Sequence, residues 1–480
     1  MRQQGISLRE IAIITASVLI ALIIVLELTL VYPAMPPIAE AFHTRDAGWV
    51  ITITMLVGVF TTPITGKLAD LYGKKRVILI TAVLFLAGSL LCAITTTMPI
   101  LFVGRALQGA SLSITVLLYA VLRESLPQRL APIGIGCLSI MLGVAVIAGP
   151  FLSGVLLDNF GFRSVFWFCA IYILVAIAFF AAAVPNSGFR ARRRLDPVGA
   201  LLLGAGIGLV FLTIEQGGSW GWVAAPTITA LVCGILVLLL FVLRSLRTTE
   251  PLIDLRILTR PGMRTPLIIG VVGYFAANTF SVVIPLMLET PAAEGAGYGF
   301  GVTALGLAVF YLPYGLTGVA FGPLCGLLIQ RGHTSTLLRI CTAALTIGMA
   351  CLGLLHAHAW QVLLGAAITG IGFALLAPLT GYLTVDRAPE DQRAIATGVL
   401  GVAEQIGGGL VTPVALAVLG ANLSHLTSAG TAVYTDTGYQ LTFLIAAAVS
   451  LIGVAVTLTG RVGGNVSQRT SEETRDVAVS

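Results

Sequence analysis

Three ionisable side chains interrupt apolar runs long enough to bury them: Glu27, Arg105 and Glu404. Gln108 stands three residues beyond Arg105, so on a helix the two share one face. An Arg in such a run costs between about 2.5 and 17 kcal/mol, depending on the reference state, and persists where it faces a cavity or a partner. The chemistry open to this set is exchange of protons and ions. A carboxyl can take up and release a proton, and a guanidinium can compete with that proton. Glu404 has three such readings: a second proton site, a cation-binding group, or the partner of a basic residue in the opposite half of the chain. The plainer alternatives are a neutral, hydrogen-bonded acid and an Arg bonded only to backbone carbonyls. Covalent catalysis has no comparable set. The seven cysteines are scattered without a C-x-x-C, which predicts neither disulfide nor zinc site, only small buried hydrophobes. His356 and His358 sit at a helix end with no acid near them in sequence, and no G-x-x-x-x-G-K-[ST] loop for nucleotide is present. No enzyme, metal or cofactor is expected.

The elements that must position these residues follow from composition. Of 480 residues, 57% are hydrophobic and 10% charged, and mean hydropathy is +0.99. Soluble domains carry about 25% charged residues, so a soluble enzyme, a nucleic-acid binder and a disordered chain are excluded. A membrane-crossing helix needs about 20 apolar residues. Fourteen runs qualify, at roughly 11–33, 47–66, 77–95, 99–122, 132–157, 165–184, 198–216, 226–243, 266–288, 302–328, 337–356, 360–384, 395–419 and 439–460. Ser7-Leu8-Arg9-Glu10 opens the first with a capping-box pattern. With both ends cytoplasmic, 24 of the 27 Lys and Arg residues fall on the inner side, leaving Arg45 and Arg163 outside and Arg105 within a span. The net charge of +6 is therefore read as a topology signal. Glu215 and Glu289, at outer helix ends, are expected to be solvated at headgroup level. Residues 461–480 read as a disordered cytoplasmic tail.

An internal repeat divides the spans. Pro63-x-x-Gly66-x-Leu68 recurs as Pro323-x-x-Gly326-x-Leu328, Gly104…Gly109 as Gly365…Gly370, and Pro150 as Pro413, in the same order and at nearly the same shift. Such repeats build many secondary transporters, with the substrate path at their interface. The predicted organisation is an all-α integral membrane protein. Residues 1–184 form one six-helix half, 185–265 an inserted pair with cytoplasmic linkers, and 266–460 a second six-helix half. Gly149, Pro150, Ser153 and Gly154 make the fifth span bendable and closely packed. Tyr32, Tyr274, Phe275, Phe280, Tyr311, Tyr314, Phe373 and Tyr382 are candidates to line an apolar pocket.

Gly66-Lys67-Leu68-Ala69-Asp70-Leu71-Tyr72-Gly73-Lys74-Lys75-Arg76 is read as the loop joining spans two and three. Its glycines suit a tight turn and close helix approach, and its charges suit a clasp with inner-side acids or lipid headgroups. This segment resembles the signature loop of the major facilitator superfamily, G-x-L-x-D-[RK]-x-G-[RK]-[RK], with Leu71 where a basic residue is usual. Leu101-x-x-x-Arg105-x-x-Gln108-Gly109 is similar to that superfamily's fourth-helix motif, whose buried Arg is implicated in proton coupling. Gly136-x8-Ala145-x3-Gly149-Pro150-x2-Ser153-Gly154 resembles its fifth-helix antiporter motif, with Ala145 and Ser153 where Gly is usual. Glu27-Leu28-Thr29-Leu30-Val31 before Met35-Pro36 resembles the first-helix motif of the fourteen-helix drug:proton antiporters, with Glu for Asp. Gly218-Ser219-Trp220-Gly221-Trp222 and Glu250-Pro251-Leu252-Ile253-Asp254-Leu255-Arg256 are also similar to that subfamily.

The resemblance implies a major facilitator fold and a proton-driven exporter of drugs or other amphipathic compounds in the inner cell membrane. It implies a monomer that handles protons and a small-molecule substrate, contacts lipid and no nucleic acid, and needs no cofactor beyond the proton gradient. Glu27, Arg105, Gln108 and Glu404 would couple protons to substrate, and Gly66, Asp70, Gly73, Lys74, Lys75 and Arg76 would form the conformational switch. The alternative is an exporter or importer of a single metabolite with the same fold.

Overall fold

The computed structural model describes residues 7–44, 46–127, 130–186, 196–249, 251–253, 255–256, 262–290, 298–388, 393–426 and 432–459. The expected tail at 461–480 and the side chains of Asp70, Glu215 and Gln330 lie outside the described residues. The first helix, α1 (Leu8–Val31), starts where its sequence says it should. Ser7 Oγ accepts from the Glu10 amide at 3.3 Å, and Glu10 accepts from the Ser7 amide at 2.7 Å. After α2 (Met35–Ala41) comes α3 (Trp49–Tyr72), bent by 40° between Val59 and Thr61. Pro63 lacks the N–H that would bond the Val59 carbonyl, which accounts for the bend.

The chain continues through α4 (Lys74–Ile94), α5 (Met98–Gly109), α6 (Ile114–Ser125), α7 (Ala131–Phe160) and α8 (Arg163–Ala183). A hairpin of α9 (Pro197–Trp220) and α10 (Ala225–Arg247) follows, then α11 (Arg264–Glu289), α12 (Ala304–Gln330), α13 (Thr334–Leu354), α14 (Ala359–Arg387), α15 (Arg393–Gly409), α16 (Val411–Ala421) and α17 (Asp436–Thr459). Among the described residues, twelve stretches are long and apolar enough to cross a membrane, and bent α3 would be a thirteenth. The run expected at 132–157 falls on α7, a 30-residue helix with Pro150 inside it.

Two expected spans, found as the single apolar stretches Met98–Ser125 and Ala396–Ala421, have an interruption in the helix ladder. The fourth splits at Ala110–Ser113 into α5 and α6, where Ser111 Oγ bonds the Gln108 carbonyl at 2.6 Å and competes with the helix ladder. The thirteenth splits after Gly407-Gly408-Gly409, which hold a helix weakly, into α15 and α16. The structure adds an element that the all-α reading lacked. β1 (Leu423–Leu426) pairs antiparallel with β2 (Ala432–Tyr434), satisfying backbone groups of the α16–α17 connection.

Packing sorts the helices into two groups. α1 lies on α7 and α8, α4 on α5 and α8, and α3 on α5. In the second group α11 lies on α14, α15 and α17, α13 on α14 and α17, and α12 on α14. Two seams join the groups, α7 with α12 and α3 with α15, and the α9–α10 hairpin lies outside the second seam against α3 and α16.

Candidate functional site

Arg105 projects from α5 into the interior of the helix group: it is 0% exposed, and Glu27 on α1 is 1% exposed. Gly104 is the reason α5 can sit deep enough. Its Cβ position is filled by Cys92 and by the Gly88 carbonyl of α4, so any larger residue would push α5 away. The guanidinium Nε donates to the Val50 carbonyl at 2.7 Å, and Nη1 donates to Glu27 Oε1 and to Gln108 Oε1, the latter at 2.6 Å. Gln108 Nε2 passes the network on to Ser89 Oγ at 2.9 Å on α4. Arg105 thus bonds a backbone carbonyl and a carboxylate together, so backbone carbonyls alone do not hold it. One donor, Nη2, is buried with no hydrogen-bond partner among the described residues. Breaking a buried pair by removing one partner costs about 3–5 kcal/mol, because a charge is left uncompensated. The arrangement is thus stable while each charge keeps its counterpart.

The fifth-span motif holds α1 in place. A Cβ on Gly149 would collide with Thr29, and Ser153 Oγ donates to the Leu30 carbonyl at 2.8 Å. Thr29 Oγ1 reaches the Ala145 carbonyl at 3.4 Å. Pro150 is buried between these contacts. Gly154 turns the other way, flush against the backbone of Leu305 on α12, while Asp158 accepts from the Leu305 amide at 3.2 Å. One helix therefore clamps the Glu27 helix with Gly149 and Ser153, and closes the seam to the second group with Gly154.

Glu404 is not part of this network. It lies on α15, accepts from Thr380 Oγ1 of α14 at 3.1 Å, and packs beside Gly270 of α11, all in its own group. Among the described residues no Lys or Arg is within ion-pair distance of it, which corrects the reading as partner of a basic residue in the other half. Its neighbour Gln405 crosses the seam instead, donating to Thr62 of α3 at 2.7 Å. Beside Glu404's group runs a row of aromatic rings. Tyr274 meets Phe373 edge-on at 6.4 Å, Phe373 stacks on Tyr314 at 5.4 Å, Tyr314 stacks on Phe280 at 4.7 Å, and Phe280 meets Tyr311 at 5.1 Å. Tyr32 joins from α1 by donating to Asn278 Oδ1 at 3.1 Å. Phe275 and Tyr382 make no ring contact with this row.

The switch segment differs from its sequence reading. It is not a loop: α3 runs through Tyr72, and only Gly73, at φ +94°, turns the chain into α4. Gly66 makes no close helix approach, with nothing within 4 Å of its Cβ position. Lys74 bonds Glu124 of α6 at 2.5 Å, Lys75 donates to the Ala181 carbonyl of α8 at 2.8 Å, and Arg76 is exposed. Gly398 and Gly401 of α15 and Gly322 and Gly326 of α12 are likewise open, with nothing within 4 Å of their Cβ positions. Away from this basic end, Gly154, Gly315, Gly407 and Gly409 are all tightly filled.

Three further expectations are corrected. His356 has an acid partner, since its Nε2 lies 2.7 Å from Asp436 at the start of α17, 80 positions away. Glu289 is not solvated at both oxygens: Oε1 is buried, with no hydrogen-bond partner among the described residues. Cys233 is exposed on α10 rather than buried. Asn278, Thr380, Gln405 and Glu124 were missed. A polar amide inside an apolar run is the signal that would have found Asn278 and Gln405.

Paired helix groups around a buried ion pair define a multi-pass helical membrane protein. The chain belongs to the Major Facilitator Superfamily, whose profile matches residues 17–203 and 266–479. It is 31% identical over 324 residues to an uncharacterised MFS-type transporter of Mycobacterium tuberculosis, a match covering 66% of this chain and 46% of that protein. The chain thus spans about half the length of that relative. It is 28% identical over 422 residues to the multidrug resistance protein Stp of the same organism, covering 85% of this chain and 74% of Stp. Its fold is similar to a solved POT peptide transporter in complex with sulfate, with TM-score 0.66 and 16% identity over 95% of each chain.

Proposed function

We propose that this secondary transporter is a proton-coupled exporter of drugs or other amphipathic small molecules, working by alternating access. The observation that carries the reading is the buried Glu27–Arg105–Gln108 network with one guanidinium donor open. A proton arriving at Glu27 removes the negative charge that holds Arg105, and its departure restores the pair, so proton occupancy and helix arrangement are linked. Glu404, beside the aromatic row and facing no described cation, is the second acid. It attracts positively charged amphipathic substrates or takes a second proton. The name of Stp supports drugs as the substrate class. Fourteen spans, both ends and the basic end cytoplasmic, and a monomer in the inner cell membrane driven only by the proton gradient complete the proposal. Residues 1–184 and 266–460 act as the two halves, and the α9–α10 pair is the insertion.

The test is loss of an imposed pH gradient in inverted vesicles as each member of a compound panel is added. Dissipation by several unrelated amphipathic compounds is expected. Dissipation by one metabolite alone would replace this reading with a narrow-specificity carrier, and none at all with an energised membrane would remove proton coupling.

A further inference from the structure

The Glu250–Arg256 motif has no place in the ion-pair network, and its described part does something else. Pro251–Ile253 crosses the basic end of the α9–α10 hairpin and is riveted to it. Asp196, the N-cap of α9, accepts from Arg244 Nε at 3.0 Å, Arg244 Nη2 at 2.8 Å, the Gly199 amide at 2.9 Å and the Leu252 amide at 3.4 Å. Ser245 Oγ donates to the Ile253 carbonyl at 2.5 Å, and Arg256 to the Leu246 carbonyl at 3.0 Å. Leu252 and Ile253 are buried in an apolar cluster with Ala200, Leu203 and Phe241 of the hairpin. A further bond leaves the hairpin: Lys67 Nζ, near the basic end of α3, donates to the Pro251 carbonyl at 2.6 Å.

Toward the second group the contact is of another kind. The Phe211 ring of α9 lies on Gly409 of α15, where a Cβ would meet the ring at 3.0 Å. Leu267, Val399, Leu400 and Val402 continue this surface without a polar bond to the hairpin among the described residues. A charged donor on a carbonyl is directional and resists sliding. A ring resting on a glycine is held by many weak, non-directional contacts and can be displaced along the surface at little cost.

We propose that the inserted hairpin is a passenger of the α1–α8 half. The Lys67–Pro251 bond fastens it there, and α15–α16 slide past Phe211 when the halves rock. The proposal rests on the alternating-access reading, so its test carries a control for that reading. Spin-label pairs are placed on the full-length chain in lipid nanodiscs, with Cys137, Cys233 and Cys351 replaced by Ser. The exposed positions Tyr72 of α3, Arg247 of α10 and Arg331, which follows α12, are changed to Cys two at a time, and distances are compared at pH 5 and pH 8.5.

The Tyr72–Arg331 pair, spanning the halves, is expected to shift by several ångströms. The Arg247–Arg331 pair should shift with it while Tyr72–Arg247 stays constant. Lys67→Met should broaden the Tyr72–Arg247 distribution, and Lys67→Arg should preserve it. A constant Arg247–Arg331 pair beside a moving control overturns the proposal, as does a Tyr72–Arg247 distance that changes with pH. A control pair fixed at both pH values contradicts alternating access itself and takes the proposal with it.

Discussion

Gly149→Ala tests whether the fifth-span motif serves the ion pair through packing. The added methyl would stand 2.5 Å from Thr29 Cβ, with Thr29 Oγ1 closer still. Ordinary carbon contacts lie at about 3.5–4.0 Å, so α1 and α7 must separate by about 1 Å. Overpacking of this kind costs about 1–3 kcal/mol. The separation also stretches the 2.8 Å Ser153–Leu30 bond, worth about 1 kcal/mol, giving a destabilisation of about 2–4 kcal/mol. Glu27 rides on the displaced helix, and misplacing a reacting group by about 1 Å can cost about 100-fold in rate. Thermal unfolding in detergent should show a clear loss of stability, and proton-coupled transport should fall at least about tenfold. Ser153→Ala, which loses only the bond, should cost about 1 kcal/mol. The size-swapped double variant Thr29→Gly/Gly149→Ala should recover all but about 1 kcal/mol, the helix cost of glycine. A Gly149→Ala protein with unchanged unfolding temperature and transport would refute the reasoning, and so would a double variant no better than the single one.

Other outcomes follow from the same geometry. Arg105→Met leaves Glu27 buried without its counter-charge and should cost about 3–5 kcal/mol; the double variant Glu27→Gln/Arg105→Met should unfold at a higher temperature than the single one. Burial acts to raise the Asp196 carboxyl, but the hydrogen bonds from Arg244, Gly199 and Leu252 and the Arg244 charge outweigh it and hold the group below the ordinary carboxylate value. A lowered carboxyl contributes stability above the unfolded value of about 3.9 and loses it as pH falls through the folded value. The gap in unfolding temperature between the wild type and Asp196→Asn should therefore be constant from pH 5 to 8 and shrink below about pH 4. Lys74→Ala should cost only about 1 kcal/mol or less, since Glu124 is 41% exposed and solvent screens the pair. Chemical denaturation checks this.

Local rules made parts of this molecule readable before any coordinates. The capping box at Ser7 and Glu10 is present because its atoms are three residues apart, and Gln108 shares a face with Arg105 for the same reason. The helical runs themselves follow from apolar length. Partners distant in the chain were not readable. Glu27 and Arg105 are 78 positions apart and His356 and Asp436 are 80 apart, and only packing brings them together. Small residues raised a related ambiguity. The pattern that marked Gly66 and Gly154 alike as packing sites says that a helix could approach, not which one does, and only Gly154 is filled. Breaks at Ala110–Ser113 and after Gly409 depend on serine and glycine competing with the helix ladder, a balance that hydropathy does not register.

The central claim is that the Glu27 carboxyl carries the proton that drives transport. Glu27→Gln keeps the size and hydrogen bonding of the side chain and removes its titration. The direct measurement is substrate-induced proton flux in inverted vesicles, paired with substrate binding to the same purified variant. The account predicts proton flux reduced to background with binding retained within about threefold. Proton flux at the wild-type rate in Glu27→Gln would contradict it.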